Sequence, residues 1–304
     1  MGITAADPRP AAGVPPSGLM TDTRPHRRLR WWFALAAGLL LLAGCATLDE
    51  RQREWIFQPG ARTWWGGSAA AEGMQDRWIE FVSAESGDTV RLHALWAPQG
   101  RADAPVLLYL HGARYDVRGS AHRMRRLQAL GFAVLGVDYR GFGQSSAVLP
   151  SEDMAYEDAQ AAWDWLAREY PDRPRYVFGH SLGGAIAVDL ASRRDDVRGL
   201  IVEGSFTSIP DVVRHFKWGW LPVGPLITQR FEAVERIARV KAPVLVVHGS
   251  EDRLIPPSLG QALYERAPHP KRFVLVEGGS HHNANALGQA QYAEALRELF
   301  GPVL

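Results

Sequence analysis

The sequence predicts an α/β fold in which a mostly parallel sheet carries helices on both faces. Three observations point there. From about residue 60 onward, short apolar runs alternate with longer stretches of helical spacing, the order that builds βαβ units. Some runs are apolar at every position, as at residues 106–110 (VLLYL), which is how a strand covered on both faces reads. Residues with chemical capacity stand directly after the runs, at the strand ends where open α/β sheets place their sites.

Taken in order, residues 90–96 (VRLHALW) alternate apolar and polar and predict a half-buried strand. Residues 106–110, between Pro105 and His111-Gly112, predict a fully buried one. Residues 119–130 have helical apolar spacing, and Gly131 supplies the C-terminal stop. A strand at 133–137, a helix at 153–168 with Trp163 and Trp165, a short strand at 176–178 and a helix at 182–193 follow. Apolar strands at 197–202 and 244–247 come next, and 258–266, 273–276 and 286–300 close the series as helix, strand and helix. No fixed-period repeat is visible, which argues against a solenoid.

One stretch breaks the rhythm. Residues 206–239 carry Phe216, Trp218, Trp220, Leu221, Leu226 and Phe231, interrupted by Pro222, Gly224 and Pro225. A connection this long is usually functional. The expectation is a small helical insertion, a lid over the substrate; a single helix with a long aromatic-packed loop is the alternative.

Composition narrows the function. The 304 residues are 46% hydrophobic and 22% charged, which fits one large or two small globular domains and excludes disorder for the bulk of the chain. Lys+Arg total 34 against 33 Asp+Glu, so no basic excess exists for a polyanion and nucleic acid is not expected as a partner. The single cysteine, Cys45, excludes an intrachain disulfide and a Cys-based zinc site.

The first 44 residues read as an address rather than a fold. Arg24, Arg27, Arg28 and Arg30 precede a 14-residue apolar run at 31–44 (WWFALAAGLLLLAG), the basic and hydrophobic regions of a secretory signal. The run is short for a membrane span. Leu42-Ala43-Gly44-Cys45 resembles a bacterial lipobox, in which the cysteine thiol is acylated and becomes the new N-terminus. An uncleaved anchor with an incidental cysteine is the alternative. Met20 is a candidate true start, which would make 1–19 a mis-annotated extension. Ala46, rather than Asp, after the cysteine points by resemblance to the outer membrane, on the periplasmic side of the cell envelope. The expected organisation is a signal at 1–44, a lipidated tether and N-terminal segment at 45–74, and one domain at 75–304 with its lid at about 206–239.

The chemistry begins at Gly179-His180-Ser181-Leu182-Gly183, a G-x-S-x-G pattern between a strand and a helix. Such a serine occupies a sharp turn with strained backbone angles, so its neighbours must be small. The turn also presents backbone N–H groups of the helix start to an oxyanion. A serine needs a base and the base needs an orienting acid, in this architecture in the order Ser, acid, His. Asp252 (HGSEDRLIP) and His281 (EGGSHHN) follow predicted strands in that order. His281 is preferred over the adjacent His282 because it directly follows the small-residue turn Gly278-Gly279-Ser280; His282 stays open as the base. Glu251 reads as solvated, Glu203 as a structural acid bonded to loop backbone, and His180 as packing within the turn. Ala113 and Leu182 are the expected oxyanion donors, both through backbone N–H. Arg114 reads as a solvated loop charge, with contact to an anionic substrate group as the alternative. No metal site is expected at the His pair, since the nearby acids lack ligand spacing.

The segments LYLHGA, Asp138-Tyr139-Arg140-Gly141-Phe142-Gly143-Gln144-Ser145, GHSLGG and HGSEDRLIP resemble the α/β-hydrolase superfamily, in its BEM46-like and serine-aminopeptidase-like branch, from about residue 75 to the end. Relatives often show G-x-H-N where His282 here separates His281 from Asn283. The Asp138–Ser145 motif reads as a structural loop whose acid and arginine pair within it. The resemblance implies the α/β-hydrolase fold and a Ser-His-Asp hydrolase without a cofactor, acting on esters, thioesters or amides. An aromatic lid favours a small-molecule acyl substrate with an apolar portion. Two alternatives stand beside the esterase. A peptidase cutting small N-terminal residues would need an acidic pocket, and the lid offers few acids beyond Asp211, Glu232 and Glu235. A silent hydrolase fold acting as an envelope binding protein is the other.

Overall fold

A computed structural model describes residues 1–2, 24–216 and 219–301. The chain divides into two compact units, Met1–Thr47 and Leu48–Leu304. The start expected as mis-annotated lies almost wholly outside the described residues, as do Lys217 and Trp218 of the expected lid. The backbone is helical over α1 (Arg24–Phe57), and Cys45 is exposed. Among the described residues no helix is long and apolar enough to cross a membrane.

After α1 and the single turn α2 (Gly67–Ala70), the sheet begins with β1 (Gln75–Val82) and β2 (Thr89–Ala97), which pair antiparallel. β3 (Val106–Leu110) is buried at every position, as its unbroken apolar run requires. A 3₁₀ turn capped by Asp116 leads into α3 (Ala121–Ala129), and Gly131 at φ 102 turns the chain into β4 (Ala133–Val137). α4 (Glu152–Glu169) starts where the Ser151 side chain accepts from Met154 N–H, and it buries one stripe of Ala155, Ala159, Ala162, Trp163 and Leu166. β5 (Arg175–His180), α5 (Leu182–Arg193) and β6 (Gly199–Glu203) follow. α6 (Ile209–Arg214) and α7 (Ala233–Ile237) flank a 3₁₀ turn at Gly224–Leu226. The stretch expected as a lid is thus two very short helices on a long connection. β7 (Val244–Gly249), α8 (Pro257–Arg266), β8 (Lys271–Val276), α9 (Ala284–Leu287) and α10 (Gln289–Phe300) complete the chain.

The eight strands run in the order β1-β2-β4-β3-β5-β6-β7-β8, antiparallel at β1/β2 and β2/β4 and parallel elsewhere. One core lies between the sheet and α4, α5 and α8, around Trp163, Ile186 and Leu263. A second lies between the opposite face and α3 and α10, around Met124, Leu127, Tyr292 and Leu296. Because β3 and β5 to β8 are parallel, their carboxyl ends share one edge, and the loops there carry His111, Ser181, Asp252 and His281.

One local pairing differs from expectation. Arg140 does not pair with Asp138. Its Nε lies 2.8 Å from Asp158 Oδ1 and its Nη2 bonds Glu157, both on α4. Asp138 instead accepts from Val117 N–H at 2.6 Å and meets His93 Nδ1 at 2.9 Å. The chain leaves the strand after Val137 and turns at Gly141, φ 80, so the two side chains part toward different layers.

Candidate active site

Ser181 stands between β5 and α5 at φ 56, ψ −122, a conformation that costs a non-glycine residue roughly 1–3 kcal/mol. Surrounding bonds hold it there. Ser181 N–H donates to Glu203 O at 2.9 Å, its carbonyl accepts from Gly184 N–H at 2.9 Å and from Ser205 Oγ at 2.8 Å. The flanking glycines are needed for close approach. A Cβ on Gly179 would fall 2.1 Å from Gly183 O, and one on Gly183 would fall 2.1 Å from Leu110 O. The strand-to-helix turn can therefore be this sharp only with glycine at both positions.

Asp252, in the loop after β7, accepts Leu254 N–H at 3.0 Å and Ile255 N–H at 2.8 Å on Oδ1. Its Oδ2 lies 2.7 Å from His281 Nδ1. Burial alone would raise the Asp252 carboxyl. Hydrogen bonds from His248 and His281 and from the Ile255 N–H outweigh it and hold the group well below the usual carboxylate range. The acid is thus an anion on the imidazole, fixing Nδ1 as the protonated nitrogen and turning Nε2 into the acceptor. A Cβ on Gly204 would lie 3.4 Å from His281 Nδ1 and 3.6 Å from Asp252 Oδ2, so the pair sits against the end of β6.

His281 is buried, and His282 is exposed with its ring 5.2 Å from that of Trp64. The structure places His281, and not His282, on Asp252. His180, beside the serine, has its Nε2 3.0 Å from His281 O. Burial first, then the charges of Arg123 and His281, hold His180 well below its ordinary value, so it is neutral and donates this bond. Its packing thereby ties the serine turn to the histidine loop.

The loop after β3 passes directly over the serine: a Cβ on Gly112 would meet Ser181 Cβ at 3.1 Å. Among the described residues the Ala113 N–H has no hydrogen-bond partner. Leu182 is the first residue of α5, whose leading N–H groups have no partner within the helix. Both residues line a cavity of about 580 Å³, together with His180 and His281.

Several residues at this cavity were not foreseen. Trp55, Trp64 and Trp65 belong to the segment read as a tether, yet they form part of the wall, and residues from Leu48 on fold with the sheet. His248 approaches Asp252 at 3.4 Å and bonds Ile255 O at 2.9 Å; its place at the end of β7 was the only signal. Glu203 bonds side chains rather than loop backbone: Oε1 accepts from Arg123 Nε at 2.9 Å, and Oε2 accepts from Tyr292. Glu251 is exposed, as a solvated acid would be. Arg114 is exposed, as a solvated loop charge would be, with φ 85, its N–H on Phe57 O and its Nε 3.1 Å from Gln58 Oε1. Among the described residues no group of three His, Cys, Asp or Glu is arranged to hold a metal ion.

The family profile described as serine aminopeptidase, S33 (Hydrolase_4) matches residues 101–232 and 226–285. The chain belongs to this family. An uncharacterized protein of Mycobacterium tuberculosis (strain CDC 1551 / Oshkosh) is 33% identical over 276 residues, covering 89% of this chain and 95% of that protein. The lysophosphatidylserine lipase ABHD12 of Danio rerio is 35% identical over 187 residues, covering 55% of this chain and 48% of that protein. An esterase of Pyrococcus furiosus superposes with a TM-score of 0.61 at 20% identity, over 80% of this chain and 99% of that structure. The fold is the α/β-hydrolase fold, and the protein is a hydrolase of that superfamily.

Proposed function

We propose that the protein cleaves carboxylic esters, or thioesters, through Ser181, His281 and Asp252. The observation that carries this is the strained Ser181 turn, tied through His180 Nε2 at 3.0 Å to the loop where an ionised Asp252 holds His281 by Nδ1 at 2.7 Å. His281 Nε2 takes the Ser181 proton as Oγ attacks the carbonyl carbon. The oxyanion accepts from the Ala113 and Leu182 N–H groups; one such donor typically contributes about 2.7–4 kcal/mol. His281 then passes its proton to the departing alcohol or thiol, leaving an acyl-serine. Water repeats the sequence: its oxygen ends in the acid and its second proton returns through His281 to Ser181. Asp252 keeps the imidazole oriented and stabilises the imidazolium throughout.

The peptidase reading draws on the family's description. A substrate α-amine needs a carboxylate, and among the described residues none lines the cavity. An apolar acyl chain instead meets Phe206, Ile209, Val212, Val213 and Phe216. The lipase name of the Danio rerio relative supports the same choice. Acylation of Cys45 would fix the protein to the envelope by its N-terminus, with each buried methylene contributing about 0.8 kcal/mol; the outer membrane, facing the periplasm, is the proposed location.

Hydrolysis of a p-nitrophenyl acyl-ester series tests the reaction. The expected result is activity that peaks at one acyl length and is lost in Ser181→Ala. Equal inertness of the wild type and the variant would favour the binding-protein alternative.

A further inference from the structure

The wall of the cavity changes character along its length. Ile209, Val212, Val213, Leu254 and Ile255, from the connections after β6 and β7, make one part aliphatic. Trp64, Tyr115 and His282 make another, and they stand together. The Trp64 ring lies 4.9 Å from that of Tyr115, at right angles, and 5.2 Å from that of His282. This second part borders the base, because the His282 ring is 5.3 Å from the His281 ring. It is also built to hold its shape. Asp116 N–H donates to Arg62 O at 2.9 Å, Thr63 Oγ1 donates to Asp116 Oδ2 at 2.6 Å, and Gly67 N–H closes a turn on Trp64 O at 2.9 Å. A Cβ on Gly67 would fall 2.5 Å from Arg118 O, and one on Gly119 would fall 2.9 Å from Trp64 N. The two backbones touch where only glycine fits, so Trp64 is carried on a fixed turn. Beside it, Trp65 lines the same cavity with 92% of its surface exposed. Rings this open at a cavity mouth mark a place for a ligand.

The reaction decides which half of a substrate meets these rings. His281 gives its proton to the departing oxygen, so the alcohol leaves beside His281 and the acyl chain lies along the aliphatic part. Flat rings attract another ring beyond the area they cover, a gain that a saturated group does not receive. A cationic group would also suit π faces, but Arg123 and Arg126 line the cavity and among the described residues no carboxylate does, so a cation is repelled. We infer that Trp64, Tyr115 and His282 form a stacking subsite for the alcohol half, and that the preferred substrates are esters of an alcohol carrying a neutral aromatic ring. This rests on the ester reading above and names the part of the ligand that reading leaves open. It gives His282, which is not the residue on Asp252, a role in specificity.

The test compares benzyl butyrate with cyclohexylmethyl butyrate, which differ only in the saturation of the ring. Each rate is divided by the alkaline hydrolysis rate of the same ester, which removes intrinsic reactivity. The expected ratio of kcat/KM is roughly threefold to tenfold in favour of the aromatic ester. Trp64→Leu brings the ratio near one, Trp64→Phe keeps part of it, and His282→Leu lowers it. General damage to the fold or to catalysis slows both esters alike, so the ratio reads stacking alone. Moving the rings to the acyl half, in methyl phenylacetate and methyl cyclohexylacetate, makes their ratio insensitive to Trp64→Leu; sensitivity there instead of in the benzyl pair overturns the assignment to the alcohol. A normalised wild-type ratio at or below one, or the same ratio in Trp64→Leu, overturns the inference. If Trp64→Leu does not fold, an unchanged ratio in both Trp64→Phe and His282→Leu does so. Failure of the ester reading looks different, because neither ester is then turned over. In that event the ratio of dissociation constants for the two butyrates on Ser181→Ala protein, with and without Trp64→Leu, makes the same comparison without catalysis.

Discussion

Replacing Asp252 by Asn isolates what the carboxylate does for His281. The substitution is isosteric, and Leu254 N–H and Ile255 N–H, at 3.0 and 2.8 Å, both need an acceptor at Oδ1. They fix the Asn oxygen there and turn its NH₂ toward His281 Nδ1, where the carboxylate oxygen stood at 2.7 Å. The imidazole must then accept at Nδ1 and carry its proton on Nε2. It faces Ser181 as a donor and cannot take the serine proton. Loss of this tautomer in Ser-His-Asp hydrolases lowers kcat by about 10⁴, or about 5 kcal/mol of transition-state stabilisation. KM should change little, since the carboxylate contacts the base and not the acyl chain. Steady-state hydrolysis of the best p-nitrophenyl ester, with thermal unfolding as a folding control, measures both. A folded Asp252→Asn variant that loses less than about tenfold in kcat would refute the role assigned to Asp252.

Two further predictions concern stability. Arg140 and Asp158 are buried together, with Asp158 also accepting Arg140 N–H at 2.8 Å, so Asp158→Ala leaves Glu157 as the carboxylate on the guanidinium, removes the partner of two buried donors, and should cost about 2–5 kcal/mol in urea unfolding; a loss below about 1 kcal/mol would show water reaching those donors. His93 lies between Asp138 and Asp76, at 2.9 and 2.8 Å, and although burial pulls its pKa down, these two hydrogen bonds raise it above its ordinary value. A raised folded-state pKa stabilises fully below about 6.5 and is lost as pH rises through the folded value. The stability gap between wild type and His93→Gln should therefore be wider at pH 6 than at pH 9; a gap that widens with pH contradicts this.

What the sequence shows and hides follows from burial. The bounds of β3, β4 and α5 coincide with those read from the sequence, because both-face burial makes a strand apolar throughout and Pro105, Gly131 and the serine turn punctuate it. β1 escaped notice because it is an antiparallel edge strand whose residues QDRWIEFV are half exposed, with Ile79 alone fully buried, so its pattern carries little period-two signal. That Ser181 would stand in a sharp strand-to-helix turn and that Asp252 and His281 would follow strand ends was legible from the motifs, and the choice of His281 over His282 rested on a single turn. Other partners were not legible, since they depend on which layers meet. Trp55 and Trp64 precede the sheet without periodicity, Arg140 pairs across to α4, and Glu203 meets Arg123 and Tyr292 from two different helices.

The central claim is that Ser181 is the nucleophile, activated in a turn that the glycines on either side permit. A fluorophosphonate probe reacts only with a serine whose oxygen is activated and whose oxyanion donors are in place. Incubating the protein with one, locating the adduct by peptide mass spectrometry and following ester hydrolysis in parallel tests this directly. The account predicts a single adduct on Ser181, formed in step with loss of activity and absent from Ser181→Ala and His281→Ala. An active enzyme labelled elsewhere, or still labelled and active as Ser181→Ala, would contradict it.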